Sequence, residues 1–449
     1  MFKSDSPVGI DDLSVYVPEL FVSTTGEFAV KRGIEPAKLA RGIGIERMAI
    51  PDAHEDAATM AAMSALELMR RSDLRPEQVG KIYVGTESAV DEAKAIGTYV
   101  IGMLEKVYGP GSFQECSTVE FKSACIGTTY ALENMSYWLA QEEQDQVGLV
   151  VASDVARYDL CSSGEYTQGA GSVSLLVRHR PRLLAFEGIF GAFTRDENDF
   201  FRPIGERTAV VNGKHSNDCY LMAVDGAFAS FERKARRGGL IDPGLGECPT
   251  DYVQHILFHL PYPRMAEYAA ASLFRQEWRG LSRWRELEGE IGPEPRVEDY
   301  ADGGDYARAD FEFRKKFTRS ELFMQAFRSK VEGSTSISRQ VGNIYTGSIY
   351  LGLASLLESG KLSPGERACF GSYGSGCSAL VFSALVQPGL GSVPSTGILE
   401  RLAARREISL AEYEQLHEGR RKESIIPPRE EFALLRVDEQ GYRHYDFVR

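Results

Sequence analysis

The sequence predicts an α/β protein built from two similar layered halves, and three observations predict it. Short strands of the buried kind alternate with helix-periodic segments from Gly9 to Leu385, the pattern of helices packed on sheets. Two glycine-led segments, Gly169 to Val177 and Gly374 to Phe382, read as counterparts, which predicts an internal duplication. Polar or reactive side chains, among them Glu87 and His259, stand just past strands, at the edge where α/β sheets bind ligands.

The elements follow in order. Gly9 to Val17 reads as a strand ending at Pro18. Asp56 to Arg71 is a helix, because Ala58, Met60, Ala61, Ala65, Leu66 and Met69 recur at helical spacing. Lys81 to Thr86 is a buried strand, Lys94 to Tyr108 a helix, and Tyr130 to Glu142 another helix behind the Cys125 turn. Gln146 to Ala152 is a buried strand, followed by strands at Ser172–Arg178 and Leu183–Ile189. In the second half Ile256-Leu257-Phe258 is a strand, and Pro263 to Arg275 a helix with proline at its start. Phe311 to Val331 reads as one long amphipathic helix and Asn343 to Glu358 as an apolar one. Strands at Arg367–Gly376 and Ser378–Leu385 close the body. The halves are placed at 1–180 and 181–387. Within the second, 279–310 is acidic, without an apolar period, and reads as a surface insertion. Residues 388–449 read as a tail, with a helix at Leu410–Arg421, packed on the body or on a partner subunit.

Composition narrows the function. With 43% hydrophobic residues and a mean hydropathy of -0.25, the chain has the makings of a large core. A net charge of -13 argues against a nucleic-acid surface. No apolar run approaches the roughly 18 residues of a membrane span, and Met1 to Asp12 lacks the apolar centre of a secretory signal. Seven cysteines with no CxxC pair point to free thiols in a reducing, cytoplasmic setting rather than to a disulfide framework.

The stretch that could carry chemistry is Glu120-Phe-Lys-Ser-Ala-Cys-Ile-Gly-Thr-Thr129. It places Cys125 at or near a helix N-terminus, where backbone N–H groups favour a thiolate below the ordinary pKa of about 8.5. Such a thiolate can accept an acyl group; a small buried hydrophobe is the alternative reading. Glu87, past a buried strand, could shuttle protons from a desolvated carboxyl group, or be a solvated loop acid. His259 could act on a substrate or be a satisfied core histidine. His255 and His259 share a spacing seen in metal sites, but Pro261 argues against a helix there and no third ligand has metal spacing nearby. Gly374-Ser375-Gly376 lets backbone N–H groups approach a ligand, yet matches no dinucleotide or Walker motif.

Taken together, Thr86-Glu-Ser-Ala-Val-Asp91, Phe121-Lys-Ser-Ala-Cys125, Ala152 to Tyr158, Gly164 to Gly171, Asn198-Asp-Phe-Phe-Arg-Pro203, Phe258-His-Leu-Pro-Tyr-Pro263, Val341 to Tyr350 and Ser372 to Gly376 stand in the order found in one family. The chain resembles the hydroxymethylglutaryl-CoA synthases of the mevalonate pathway from about Gly9 to about Val386. The resemblance implies a thiolase-like fold of two αβαβα-type halves, a homodimer, and no metal or organic cofactor. It implies that Cys125 takes an acetyl group from acetyl-CoA, that Glu87 is the general base and acid, and that His259 and Asn343 polarise the ketone of acetoacetyl-CoA. It places oxyanion donors at Cys125 and Ser375, further ligand contacts at Glu35, Thr167, Ser216 and Arg264, and site-tuning acids at Asp154 and Asp199. The chain departs from the pattern in having Ile126 where many members have Tyr, Arg264 for a Lys, and Tyr268 for a second basic residue.

Three other readings share parts of the pattern. A polyketide β-branching homologue would use the same three residues on a carrier-bound acceptor. Fatty-acid and chalcone-type condensing enzymes pair Cys with His and Asn, without an acid at position 87. A non-catalytic scaffold would keep the fold alone.

Overall fold

The structure, a computed structural model, describes residues 6–142, 145–242 and 248–449. The first five residues of the Met1–Asp12 stretch lie outside the described residues.

Nine strands form the main sheet. The first half supplies β1 (Val8–Tyr16), β2 (Val79–Gly85), β3 (Ser117–Phe121), β4 (Val147–Val155) and β5 (Ala170–His179). The second supplies β6 (Leu184–Thr194), β7 (His255–Phe258), β8 (Arg367–Gly374) and β9 (Ser378–Val386). Their spatial order is β7-β8-β9-β6-β1-β5-β4-β2-β3. The duplication is visible in the pairing. In the first half β2 runs parallel to β4, then β4, β5 and β1 pair antiparallel. In the second β7 runs parallel to β8, then β8, β9 and β6 pair antiparallel. The two series meet where β1 touches β6 through Gly9–Ala185 and Ile10–Leu184. Gly169–Val177 and Gly374–Phe382 both lead into the third strand of their series, β5 and β9.

Helices make the other three layers. Outside the first half lie α1 (Ala57–Arg71) and α2 (Ile96–Tyr108); between the halves lie α3 (Gly127–Leu139) and α6 (Ser348–Glu358); outside the second half lie α4 (Gly213–Arg237) and α5 (Met265–Trp278). Strand alternation sorts the side chains into these layers. On β4, Leu149 and Val151 pack toward α1 and α2 while Val150 faces the middle layer. On β9, Val381 packs toward α4 and α5 while Leu380 and Phe382 face inward. The order is therefore α-β-α-β-α. Asp56 opens α1 with a capping box, accepting from the Ala58 and Thr59 amides at 2.9 Å while Thr59 Oγ1 accepts from the Asp56 amide.

Several elements differ from the sequence expectation. The segment 311–331 is not one helix: helices at Gly303–Phe317 and Glu321–Lys330 meet at Ser320, whose hydroxyl caps the second. That break turns Phe317 and Phe323 onto Phe274 and Trp278. The 279–310 segment is itself helical at Ser282–Ile291, where Trp284 and Leu287 are buried. Two apolar residues three apart make too short a stripe to stand out among charges. Helix α5 begins after Arg264 rather than at Pro263. Helix α4 was not expected at all. The tail helix, Leu410–His417, buries Leu410, Tyr413 and Leu416 in a cluster with Phe28 and Leu39 of this same chain. A hairpin at Glu431–Val437 and Arg443–Val448 follows it and sets Phe432 against the first half. Among the described residues, no helix is long and apolar enough to cross a membrane.

Candidate active site

The duplicated frame aims equivalent ends at one place. Glu87 follows β2 and His259 follows its counterpart β7; Asp154 ends β4 and Ser375 follows its counterpart β8. Cys125 precedes α3, and Asn343 lies just ahead of the counterpart helix α6. A cavity of about 290 Å³ opens where these ends meet. Cys125, Thr167, Ser216, His259, Asn343 and Ser375 line it.

Cys125 sits on a tight turn between β3 and α3. Ala124 before it is held at φ 45°, the left-handed region that a non-glycine residue enters only when its surroundings impose it. Two glycines make the turn possible. A side chain at Gly85 would meet the Thr128 amide nitrogen at 2.3 Å, and one at Gly127 would meet the Phe121 carbonyl oxygen at 2.6 Å. Ile126, where many family members have Tyr, is fully buried and packs against Gly374.

The expectation of a thiolate in the resting site is overturned. Cys125 Sγ lies 2.8 Å from Glu87 Oε1 and donates its proton to that carboxyl group. Burial, and then the negative charge of Glu87, push the thiol well above its ordinary value. The helix N-terminus is present, but a carboxylate in direct contact outweighs it. Burial likewise raises Glu87 to about 8, with the Asp154 charge adding to the shift. The guanidinium of Arg202 donates to the Glu87 backbone carbonyl and pulls the other way. At neutral pH the pair therefore holds both protons, and the first is lost from Glu87 above about pH 8.

Two acids hold this arrangement. Asp154 is fully buried and accepts five hydrogen bonds: from Thr86 Oγ1, the Glu87 amide and Ser88 Oγ on one oxygen, and from the Thr346 amide and Oγ1 on the other. It thereby ties the Glu87 loop to the turn ahead of α6. Burial raises it to about 6 against those bonds. Asp199, also fully buried, accepts from Tyr373 OH at 2.7 Å, the Gly376 amide at 2.8 Å and Ser216 Oγ at 3.1 Å. It fixes the turn that carries Ser375.

On the opposite wall His259 is 1% exposed, and burial lowers its pKa to about 3. The imidazole is therefore neutral, and its Nδ1 has no hydrogen-bond partner among the described residues. Asn343 spends its side-chain oxygen on the Tyr345 amide and Ser348 Oγ, which leaves its NH2 group as a donor without a partner among the described residues. Thr167 Oγ1 donates to the Gly164 carbonyl. Glu35 is exposed and Arg264 pairs with Glu267 at 2.9 Å; neither lines the cavity. Arg264 stands nearby, its amide bonded to the carbonyl of Ile43, a lining residue.

Sequence reasoning missed the aromatic wall formed by Tyr158, Phe200, Tyr220, Tyr345 and Tyr373. Tyr158, Phe200 and Tyr345 pack edge to face on one another. Tyr158, Phe200, Tyr345 and Tyr373 lay inside the motifs quoted for the resemblance, so the signal was present but unassigned.

A duplicated αβαβα frame that brings a thiol, backed by a carboxyl group, and an imidazole to one cavity is that of a thiolase-like, acyl-transferring enzyme. Comparison with known proteins makes the class specific. Residues 4–181 match the family model described as hydroxymethylglutaryl-coenzyme A synthase N terminal, and 184–436 the C-terminal model. A hydroxymethylglutaryl-CoA synthase of Haloferax volcanii is 34% identical, covering 98% of this chain and 99% of the relative. One from Enterococcus faecalis is 32% identical, covering 91% of each. Among solved structures, MvaS in complex with 3-hydroxy-3-methylglutaryl coenzyme A is 33% identical, with a TM-score of 0.82 over 99% of this chain and 100% of that one. The HMG synthase of the curacin biosynthetic pathway, 23% identical with a TM-score of 0.77 over 98% of this chain and 100% of that one, shares the fold. The chain belongs to the hydroxymethylglutaryl-CoA synthase family.

Proposed function

We propose that this enzyme condenses acetyl-CoA with acetoacetyl-CoA and hydrolyses the product from the enzyme, giving 3-hydroxy-3-methylglutaryl-CoA and CoA. The observation that carries the reading is the 2.8 Å contact between Cys125 Sγ and Glu87 Oε1 beside a cavity walled by His259 and Asn343. Ionised Glu87 takes the thiol proton as Sγ attacks the acetyl thioester carbonyl, and the proton leaves with the CoA thiolate. Glu87, ionised again, removes a proton from the methyl group of the acetyl-enzyme. A thioester makes that proton more acidic, and the reacting carbon is held next to the base.

The enolate carbon then attacks the ketone carbon of acetoacetyl-CoA. Neutral His259 and the Asn343 NH2 group donate to the ketone oxygen as it gains charge, and Glu87 returns its proton to that oxygen. A neutral imidazole suits the task, because an imidazolium buried here would protonate Glu87 or the enolate before bond formation. Water cleaves the remaining enzyme thioester and restores the Cys125 thiol. The same proposal assigns the backbone N–H groups of Cys125 and Ser375 to the thioester oxyanion, Thr167 and Ser216 to the bound ligand, Asp154 and Asp199 to holding the site, and Glu35 and Arg264 to the outer part of the CoA path.

The enzyme on this reading is cytoplasmic, acts in mevalonate-type isoprenoid precursor synthesis and is a homodimer. The pairing edge of β3, with Val119 45% exposed, supports the last point. Turnover on free acetoacetyl-CoA tests the reading. Activity confined to a carrier-protein-bound ketoacyl thioester would replace it with the β-branching one.

A further inference from the structure

A second cluster of reactive side chains stands beside the catalytic cavity, on groups the condensation does not use. Glu197 lies on the segment between β6 and α4; His215 and Cys219 occupy the first two turns of α4, four residues apart and so on one face. One carboxylate oxygen of Glu197, one nitrogen of His215 and the Cys219 sulfur all lie within 4.8 Å of one another.

The separations have a meaning. His215 Nε2 is 3.3 Å from Glu197 Oε2 and 3.6 Å from Cys219 Sγ. The first separation matches the edge of about 3.3 Å between nitrogen and oxygen ligands held at about 2.0 Å around a tetrahedral ion. The sulfur, also 3.8 Å from Nδ1, stands beside the ring, so the half-exposed imidazole must turn for a ring nitrogen and the sulfur to reach one ion. The donor set is mixed nitrogen, sulfur and oxygen, which suits a borderline-soft divalent cation and does not suit magnesium or calcium. Glu197 Oε1 is already held by Arg195 at 2.9 Å, which orients Oε2 toward His215. The sulfur is buried, and the His215 side chain is 41% exposed, which leaves a path for the ion and a fourth position for water.

We propose that Glu197, His215 and Cys219 form a site for a divalent cation of the zinc type at the rim of the catalytic cavity. The ion would clamp the 195–199 segment to the start of α4. That segment is wired to the active site: the Glu197 amide donates to the Gly376 carbonyl at 2.7 Å, and Arg195 exchanges backbone bonds with Cys377. Ser216 and Gly213, from the same first turns of α4, line the cavity. Loading the site therefore stiffens the turn that carries Ser375.

The test uses the full-length metal-free protein titrated with Co²⁺ and with Zn²⁺. A 1:1 complex is expected, with a thiolate-to-cobalt charge-transfer band that zinc displaces. The band is expected to vanish in Cys219→Ser and to persist in Cys125→Ser. Zinc affinity in His215→Gln, a change at a half-exposed position that threatens folding little, should fall at least about tenfold. A band that survives Cys219→Ser but is lost in Cys125→Ser would place the ion in the catalytic cavity and overturn the proposal. So would zinc binding unchanged by His215→Gln, or no 1:1 complex at all.

Discussion

Cys125 and Glu87 face each other as a hydrogen-bonded thiol and carboxyl group, 2.8 Å apart, the thiol buried and Glu87 half-buried, rather than as an ion pair. The proton that must leave the sulfur thus has its acceptor in place, and that acceptor is ionised only above about pH 8 in the unliganded site. Acetylation of Cys125 by acetyl-CoA should accordingly rise with pH through about 8 and flatten above it. Glu87→Gln should lower the rate about 10²- to 10⁴-fold and erase the rise. Quench-flow measurement of acetyl incorporation against pH reads both effects.

The same raised acid costs stability. Between the ordinary carboxyl value of 4.5 and about 8, Glu87 holds a proton in the folded protein that the unfolded chain has released. The folded state binds more protons there, so stability falls as pH rises across that window. Glu87→Gln removes the penalty. The variant should gain stability over the wild type on going from pH 5 to pH 8, by on the order of 3 kcal/mol. Urea titrations at the two pH values measure it.

Asp154 is a positioning residue. Each of its oxygens accepts from a backbone amide, Glu87 on one side and Thr346 on the other. In Asp154→Asn one of those amides must face an NH2 group. A loss of about 2–4 kcal/mol is expected from the broken network. A merely structural role would stop there. Removing the charge that helps raise Glu87 should also shift the midpoint of the acetylation profile to lower pH, which the same quench-flow series would detect.

His259 separates the two half-reactions. Its imidazole is neutral down to about pH 3, so no rate inflection between pH 6 and pH 7 belongs to it. His259→Ala should leave acetyl-enzyme formation within a few-fold of the wild type. Condensation should fall on the order of 10²-fold, as for the loss of one oxyanion donor. Acetyl labelling and product formation, followed in parallel, distinguish the two.

Gly85 tests the geometry of the nucleophile turn without touching a reacting group. In Gly85→Ala the new methyl meets the backbone of Thr128, which cannot yield without moving the start of α3. A destabilisation of about 1–3 kcal/mol is expected, together with slower acetylation of Cys125. Thermal melting and the labelling rate check the two halves of the expectation.

What was legible in the sequence was what is local. Glu87 and His259 each follow a short apolar strand and Cys125 a short extended stretch, all within compact motifs, and alternating strands and helices announced the layers. What was not legible depends on partners far along the chain. The Cys125 stretch displays its helix N-terminus, but not the carboxylate delivered from Glu87, 38 residues away. Asp199 could not be tied to Gly376 across 177 residues. Helix α4 carries an apolar stripe at Tyr220, Ala223, Val224, Ala227, Phe228 and Phe231. Its first two turns are polar because they face the cavity, and that hid the element. Ser320 ended a helix inside a continuous amphipathic pattern, since one hydroxyl cap outweighed periodicity.

The most direct measurement is the intact mass of the protein after mixing with acetyl-CoA. The wild type should gain one acetyl group, lose it when acetoacetyl-CoA is added, and gain none once Cys125 is changed to Ser. An acetyl adduct that persists in Cys125→Ser, or a wild type that forms product with no route through an acetylated Cys125, would contradict the account.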